Sequence, residues 1–142
     1  MKTIKPRPLP AVGVMIFKKR KILIGKRGNG SSHAVGVWSF PGGHLEYGET
    51  LKECVLREIA EECGVKVKNL RFQCVANIRK YGKHYVLIGF VADWKSGEPK
   101  NFEPDKTANW QWFPLNKLPR PLFEASRLMI LSYNKDKKYF DF

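Results

Sequence analysis

Apolar residues along the chain gather in short runs separated by basic or glycine- and proline-rich stretches. "AVGVMIF" at 11–17 is apolar and β-branched without alternation, which predicts a strand buried on both faces. "KKRK" then turns the chain into "ILIGKR", and the two runs predict a hairpin. "GNGSSHAVG" at 28–36 predicts a loop, and "VWSF" a short strand that stops at Pro41. Residues 67–79 and 84–94 predict two longer strands, the second rich in aromatics. A polar loop at 97–108 leads to a short strand "NWQWFP". The prolines of "LPRPLFEASRLMILSY" mark the start of a last helix.

One other helix is expected, and it has clear ends. Thr50 followed by Glu53 is a capping box, and Gly64 is a C-terminal stop. At roughly 100° per residue, Val55, Leu56, Ile59, Ala60 and Cys63 share one broad arc expected to face the core. Glu58, Glu61 and Glu62 fall together on the other side, within about 100° of arc. Like charges three and four residues apart repel, and Glu61 and Glu62 stand in the last turn, where the helix dipole disfavours anions. A divalent cation such as Mg²⁺ or Mn²⁺ would reverse the sign of that cost. A solvated acidic face accounts for the spacing equally well. The preceding "PGG" favours the cation, because Gly42 and Gly43 let a backbone carbonyl approach closely. Glu49, just before the helix, is placed to pair with Arg57 and pin the loop to it.

Composition sharpens this picture. The chain carries 26 Lys and Arg against 13 acids, a net charge of +13, which favours anionic partners. Yet Glu46, Glu49, Glu53, Glu58, Glu61 and Glu62 crowd into residues 46–62. With 142 residues, the whole chain 1–142 is expected to be one domain. Strands around two helices point to an α/β or α+β sandwich. No apolar run is long enough to span a membrane, and "MKTIKPRPLP" lacks the apolar core of a secretory signal. Cys54, Cys63 and Cys74 show no paired spacing, so they are expected to be buried thiols in a reducing, cytoplasmic setting. His33, His44 and His84 have no zinc-ligand spacing. All three are expected to be structural or on the surface, with His44, beside Gly43, also a candidate to touch substrate. The tryptophans are expected to pack or to line a pocket rather than to stack RNA.

From Gly43 to Val65 the chain resembles the Nudix box, G-x5-E-x7-R-E-U-x-E-E-x-G-U with U apolar. It matches at Gly43, Glu49, Arg57, Glu58, Ile59, Glu61, Glu62, Gly64 and Val65. The resemblance implies an α/β/α sandwich around a mixed sheet with a loop–helix–loop motif. It implies hydrolysis of a nucleoside diphosphate linked to another group. Glu58 and Glu62 would be the principal Mg²⁺ ligands (Mn²⁺ as an alternative), Glu61 a further ligand or water-positioner, and Gly42 a ligand through its carbonyl. Arg57 and Glu49 would organise the catalytic box, and the general base would come from the box or from a later loop, where Glu103 is the candidate. By position rather than by the resemblance, Arg27 at the end of the second strand is a candidate to hold a phosphate, with a plain surface arginine as the alternative, and His44 beside Gly43 is a candidate to touch substrate.

"PGGHLEYGET", "EPKNFEPDKTANWQW" and "LPRPLF" further resemble the MutT-like nucleoside triphosphate diphosphatases. That subgroup implies release of pyrophosphate and a nucleoside monophosphate, with Phe123 stacking on the base. Glu124 stands where those relatives carry Trp, which leaves base preference open. One relative also acts on an isoprenoid diphosphate, so a nucleotide is not required. The competing substrates are ADP-ribose, a dinucleotide or an RNA 5′ end, with nucleic acid the least expected partner. A nucleotide sensor without turnover is a further alternative, though every acid of the box is present. A homodimer is compatible with the sequence, as is a monomer.

Overall fold

The computed structural model describes residues 5–142. The expectation for "MKTIKPRPLP" therefore falls partly outside the described residues. The elements, in order, are β1 (Leu9–Lys18), β2 (Lys21–Arg27), β3 (Trp38–Ser39), β4 (Gly42–His44), α1 (Leu51–Glu62), β5 (Lys66–Lys80), β6 (Lys83–Ser96), β7 (Thr107–Pro114), a short 3₁₀ turn (Leu115–Lys117), α2 (Glu124–Lys135) and β8 (Tyr139–Asp141).

The described strands form one mixed sheet in the order β3-β2-β1-β6-β5-β8, with β4 also paired to β1 and β7 to β2. β1 runs parallel to β6, from Leu9 opposite Tyr85 to Phe17 opposite Asp93, and β8 runs parallel to β5. The other pairs are antiparallel. Alternation along the central strands sends side chains to two cores. Val12, Val14, Ile16 and Leu23 pack against Val55 and Ile59 of α1. Met15, Ile22 and Ile24 pack against Leu128 and Met129 of α2 on the opposite face. The result is the α/β/α sandwich, with a sheet covered on both sides. That is why β1 is apolar without interruption.

The ends of α1 are as expected. The Thr50 hydroxyl accepts from the Glu53 amide at 3.1 Å, and the Glu53 carboxylate accepts from the Thr50 amide at 3.1 Å. Gly64 takes φ +76°, a conformation that favours glycine, just after the last turn. The inward face is the expected one at Val55, Ile59 and Cys63 but not at Leu56 and Ala60. Leu56 is 49% exposed and Ala60 is exposed, whereas Cys54, Val55 and Ile59 are buried. Relative to Leu51, Glu62 projects at roughly 20° and Glu58 at roughly 340° on the helical wheel, in the middle of the buried arc. Tertiary packing has overridden the apolar arc: the helix turns two acids toward the sheet and leaves a leucine outside.

Two short strands escaped sequence reading. β4 occupies the "PGG" segment, where a break was expected; Gly42 pairs with Gly13, and Val14 donates to the Pro41 carbonyl at 3.0 Å. β8 follows "KDKK" and buries Phe140 in the core under α2. The cysteines are free and buried, and burial pushes the Cys63 thiol up to about 12. Trp38 packs edge-on to Phe113, and Trp110 belongs to the α1-side core. No helix among the described residues is long and apolar enough to cross a membrane.

The capping box sets where α1 begins and so where its acids project. Thr50→Ala should lower stability by about 1 kcal/mol. Urea unfolding should show a lower midpoint with an unchanged slope. An unchanged midpoint would mean that the box contributes nothing to the folded state.

Candidate active site

β4 crosses β1 at its start, and the loop that follows brings the chain back over α1. Arg57 binds that loop to the helix. Its Nε and Nη2 donate to the two oxygens of Glu49 at 2.6 and 2.9 Å. Nη2 also donates to the His44 carbonyl at 3.0 Å, and Nη1 to Glu58 at 2.9 Å and Glu61 at 3.3 Å. One planar guanidinium thus joins the loop and three glutamates of the box, a geometry that an ammonium group cannot reproduce. Glu49 completes the loop by accepting from the Glu46 amide at 2.8 Å. Hydrogen bonds from Arg57, then from that amide, hold the Glu49 carboxyl down at about 2.

Glu58 and Glu62 point under the loop. A Cβ at Gly43 would overlap the Glu58 carboxylate, so only glycine leaves room for it. Glu62 Oε2 accepts from the Gly42 amide at 3.2 Å. Burial pushes the Glu62 carboxyl well above the usual range; the charges of Glu58 and Glu103 add to this, while the Gly42 amide and Arg27 oppose it. Burial also raises Glu58, against the pull of Arg57. Glu61 is about half exposed, at 48%.

These acids line a cavity of about 1060 Å³ together with Gly42, His44 and Glu103. Glu103 sits in the loop before β7, where its carbonyl accepts from the Lys106 and Thr107 amides at 3.0 Å each. Among the described residues no three His, Cys, Asp or Glu side chains already stand in ligand geometry. Glu58 Oε1 is taken by Arg57, and Glu62 Oε2 by Gly42. The donor set nevertheless fits a hard divalent cation. It is all oxygen, and two of its carboxyls are held in a burial that disfavours their charge. At Gly42 the contact seen is through the amide.

Arg27, His33, Tyr85 and Phe123 line the same cavity. Arg27 donates from Nε and Nη2 to the His33 carbonyl, at 3.2 and 3.1 Å, and so fastens the 28–36 loop. Its guanidinium carbon lies 4.5 Å from the centre of the Phe123 ring. Tyr81 and Tyr85 stand parallel to that ring at 5.3 and 6.4 Å, and His33 lies 5.7 Å away. Phe123 is therefore packed into an aromatic group and stands half-buried in the cavity wall. Tyr81 owes its place to α2: its hydroxyl accepts from the Glu124 amide at 2.9 Å, the cap that Phe123 cannot supply. Glu124 is paired with Arg127 at 2.7 Å and with Lys80 at 3.7 Å, and it is not part of this cavity wall. His33 belongs to the wall rather than to the outer surface. Tyr85 went unnoticed in the sequence because it reads as a strand aromatic, and Tyr81 because it falls in the turn between two predicted strands.

The Arg57–Glu49 contact generates a pH prediction. Glu49 has a lowered pKa, so its contribution is present above the ordinary carboxylate value and is lost as pH falls toward about 2. Carbon-detected NMR should place its midpoint near that value, and Arg57→Ala should return it to the ordinary range. A midpoint unaffected by Arg57→Ala would separate the loop from the helix.

The NUDIX domain model matches residues 7–132 of the chain. The chain is 34% identical over 122 residues to the NAD-capped RNA hydrolase NudC of Vibrio parahaemolyticus, covering 80% of this chain and 42% of that protein. It thus spans about two fifths of the length of that relative. It is 38% identical over 124 residues to the ADP-ribose pyrophosphatase of Methanocaldococcus jannaschii, covering 86% of this chain and 71% of that one. The solved MutT NUDIX hydrolase of Burkholderia pseudomallei superposes with a TM-score of 0.82 at 33% identity, over 89% of this chain and 98% of that chain. The Arg57-centred loop and helix lie inside the matched region, and the chain belongs to the Nudix hydrolase family.

Proposed function

We propose that the chain is a Mg²⁺-dependent hydrolase that cleaves a nucleoside triphosphate to a nucleoside monophosphate and pyrophosphate. The observation that carries this reading is the composition of one cavity. It joins the acids of the box to a wall of Arg27, Tyr85 and Phe123, and Arg27 and Glu62 feel each other's charge across it. Its volume of about 1060 Å³ suits a nucleotide. The Burkholderia protein, similar over nearly its full length, is named MutT, the subgroup for which the sequence resemblance implies release of pyrophosphate.

Glu58, Glu62 and Glu61 would hold the cation, with the Gly42 carbonyl as a further donor. When bound, the cation neutralises phosphate charge and makes water more acidic. Arg57 keeps Glu58 and Glu61 in place and binds the loop over them. Glu103 faces the same acids and is free of Arg57, so it is the group suited to take the proton of the attacking water. The water oxygen bonds to one of the two phosphorus atoms of the α–β bridge, the bond from that phosphorus to the bridging oxygen breaks, and the other product, monophosphate or pyrophosphate, leaves with the electron pair. Glu61 is the alternative base. Mn²⁺ would serve in place of Mg²⁺. The reaction would act in nucleotide-pool turnover in the cytoplasm, and a homodimer is compatible with it.

A second reading has its own support. The Methanocaldococcus relative is named for ADP-ribose, and the NudC relatives for NAD-capped RNA. Arg79, Lys83 and Lys106 line the same cavity and would attract an extended anion. A panel of nucleoside triphosphates, ADP-ribose and 5′-capped RNA with Mg²⁺, with products identified by mass in heavy-oxygen water, separates the two readings. We expect labelled monophosphate or labelled pyrophosphate from triphosphates; release of orthophosphate alone would reject the proposed cleavage.

Glu62→Gln should keep the fold and lower turnover by at least ~100-fold at saturating Mg²⁺. Glu103→Gln should cost about 100-fold or more if it is the base. Near-normal turnover by a folded Glu62→Gln protein would remove the acids from the mechanism. A loss with Glu61→Gln but not with Glu103→Gln would move the base into α1.

A further inference from the structure

The glycine- and serine-rich loop at 28–36 supplies no group to the chemistry above, yet it grips the loop that carries Glu103. The Gly28 amide donates to the Lys106 carbonyl at 2.8 Å, and the Gly30 amide to the Asp105 carbonyl at 2.6 Å. The Ser31 hydroxyl donates to the same Lys106 carbonyl at 2.6 Å. Contact explains the glycines. A Cβ at Gly30 would stand 2.8 Å from the Asp105 carbonyl oxygen and from the Asp105 Cβ, and one at Gly28 would stand 2.7 Å from that oxygen. Neither glycine takes a positive φ, so an alanine is opposed by the neighbouring backbone and not by its own conformation.

The gripped segment is a turn that starts at Glu103, whose carbonyl accepts from the Lys106 and Thr107 amides at 3.0 Å each. Lys106 Nζ lies 3.7 Å from Glu103 Oε2, so the residue clamped through its carbonyl also faces the Glu103 carboxylate. From the other side the turn is tied to α1 by a longer bond, from the Phe102 amide to the Glu62 carbonyl at 3.4 Å. The gripping segment is itself fastened. The Ser31 amide donates to the Gly28 carbonyl at 3.1 Å, and Arg27 holds the His33 carbonyl. Gly30, Ser31, Glu103 and Lys106 all line the cavity. A proton acceptor must stand within hydrogen-bond reach of its water, and a misplacement of about 1 Å can cost on the order of 100-fold in rate.

We propose that Gly30 and Ser31 are positioning residues for Glu103: they fix the turn that presents its carboxylate to the attacking water. This inference rests on the hydrolase reading above, with Glu103 as the proton acceptor. It accounts for the composition of the loop, with glycine where the Asp105 backbone lies and a hydroxyl where the Lys106 carbonyl takes a second donor.

The test is a double-mutant cycle of Gly30→Ala with Glu103→Gln, run with Mg²⁺ on the triphosphate that wild type turns over fastest. Gly30→Ala should lower kcat about 10-fold and change KM by less than about 2-fold. In the Glu103→Gln background the same substitution should change kcat by less than about 2-fold, because the group it positions is gone. Without substrate, amide exchange at Lys106 and Thr107 should be about 10-fold faster in Gly30→Ala than in wild type. Ser31→Ala should act in the same direction, by about 3-fold in kcat, and carries the test alone if Gly30→Ala does not fold. An unchanged kcat, a loss carried by KM, equal losses in both backgrounds or unchanged amide exchange would overturn the inference and leave the hydrolase reading intact. Near-normal turnover by Glu103→Gln would do the same, since there would be no base to position. If wild type hydrolyses no nucleoside triphosphate, the reading fails and the inference falls with it.

Discussion

The hydrogen bonds of one guanidinium organise this site. Arg57 reaches forward to the loop through Glu49 and the His44 carbonyl, and sideways to Glu58 and Glu61 on its own helix. Without it, Glu49, Glu58 and Glu61 would lose the cation they share, and the loop after β4 would have little to hold it over α1. Several sequence features converge on that contact. Gly43 is bare where Glu58 must lie. The capping box starts α1 at the register that sends residue 57 toward the loop. Parallel pairing of β1 with β6 makes the sheet broad enough to support α1 on one face and α2 on the other.

The inward turn of Glu58 and Glu62 is costly for a folded chain. A carboxylate displaced from water loses solvation, and two neighbouring ones repel. Leu56 and Ala60 stand outside while these acids stand inside. Packing alone would favour the reverse rotation of the helix. A site that needs its acids at the cavity floor accounts for the choice, and the excess of basic residues elsewhere suits an anionic substrate. Stability has been exchanged for function here, as expected at sites where local rules are broken.

What could be read from the sequence was local. The caps of α1, the loop at 28–36 and the central strands follow from residue types and short-range periodicity, and the structure has them. The Arg57–Glu49 pair was legible because the box spacing brings both to one corner. The rotation of α1 was not, since an apolar arc containing Leu56 and Ala60 is as regular as the real one, and only the sheet decides between them. β4 was hidden by Pro41 and two glycines, which signal a break but here pair with Gly13 and its neighbours. The roles of Arg27, Phe123 and Glu124 depend on contacts across the fold: Arg27 meets a loop carbonyl, Phe123 meets two tyrosines from around the β5–β6 turn, and Glu124 meets Arg127. No spacing rule contains those partners. Tyr85 was likewise concealed in a run that reads as an apolar strand.

The central claim is that the inward acids are kept for a divalent cation. Thermal unfolding of wild type and Glu62→Gln, each with and without Mg²⁺, tests it most directly. Without the cation, the variant should melt at the same temperature as wild type or higher, because a buried charge has been removed. With Mg²⁺, wild type should gain stability in proportion to binding, and the variant should gain little. A Glu62→Gln protein that is less stable without the cation, and that responds to Mg²⁺ as fully as wild type, would contradict the claim.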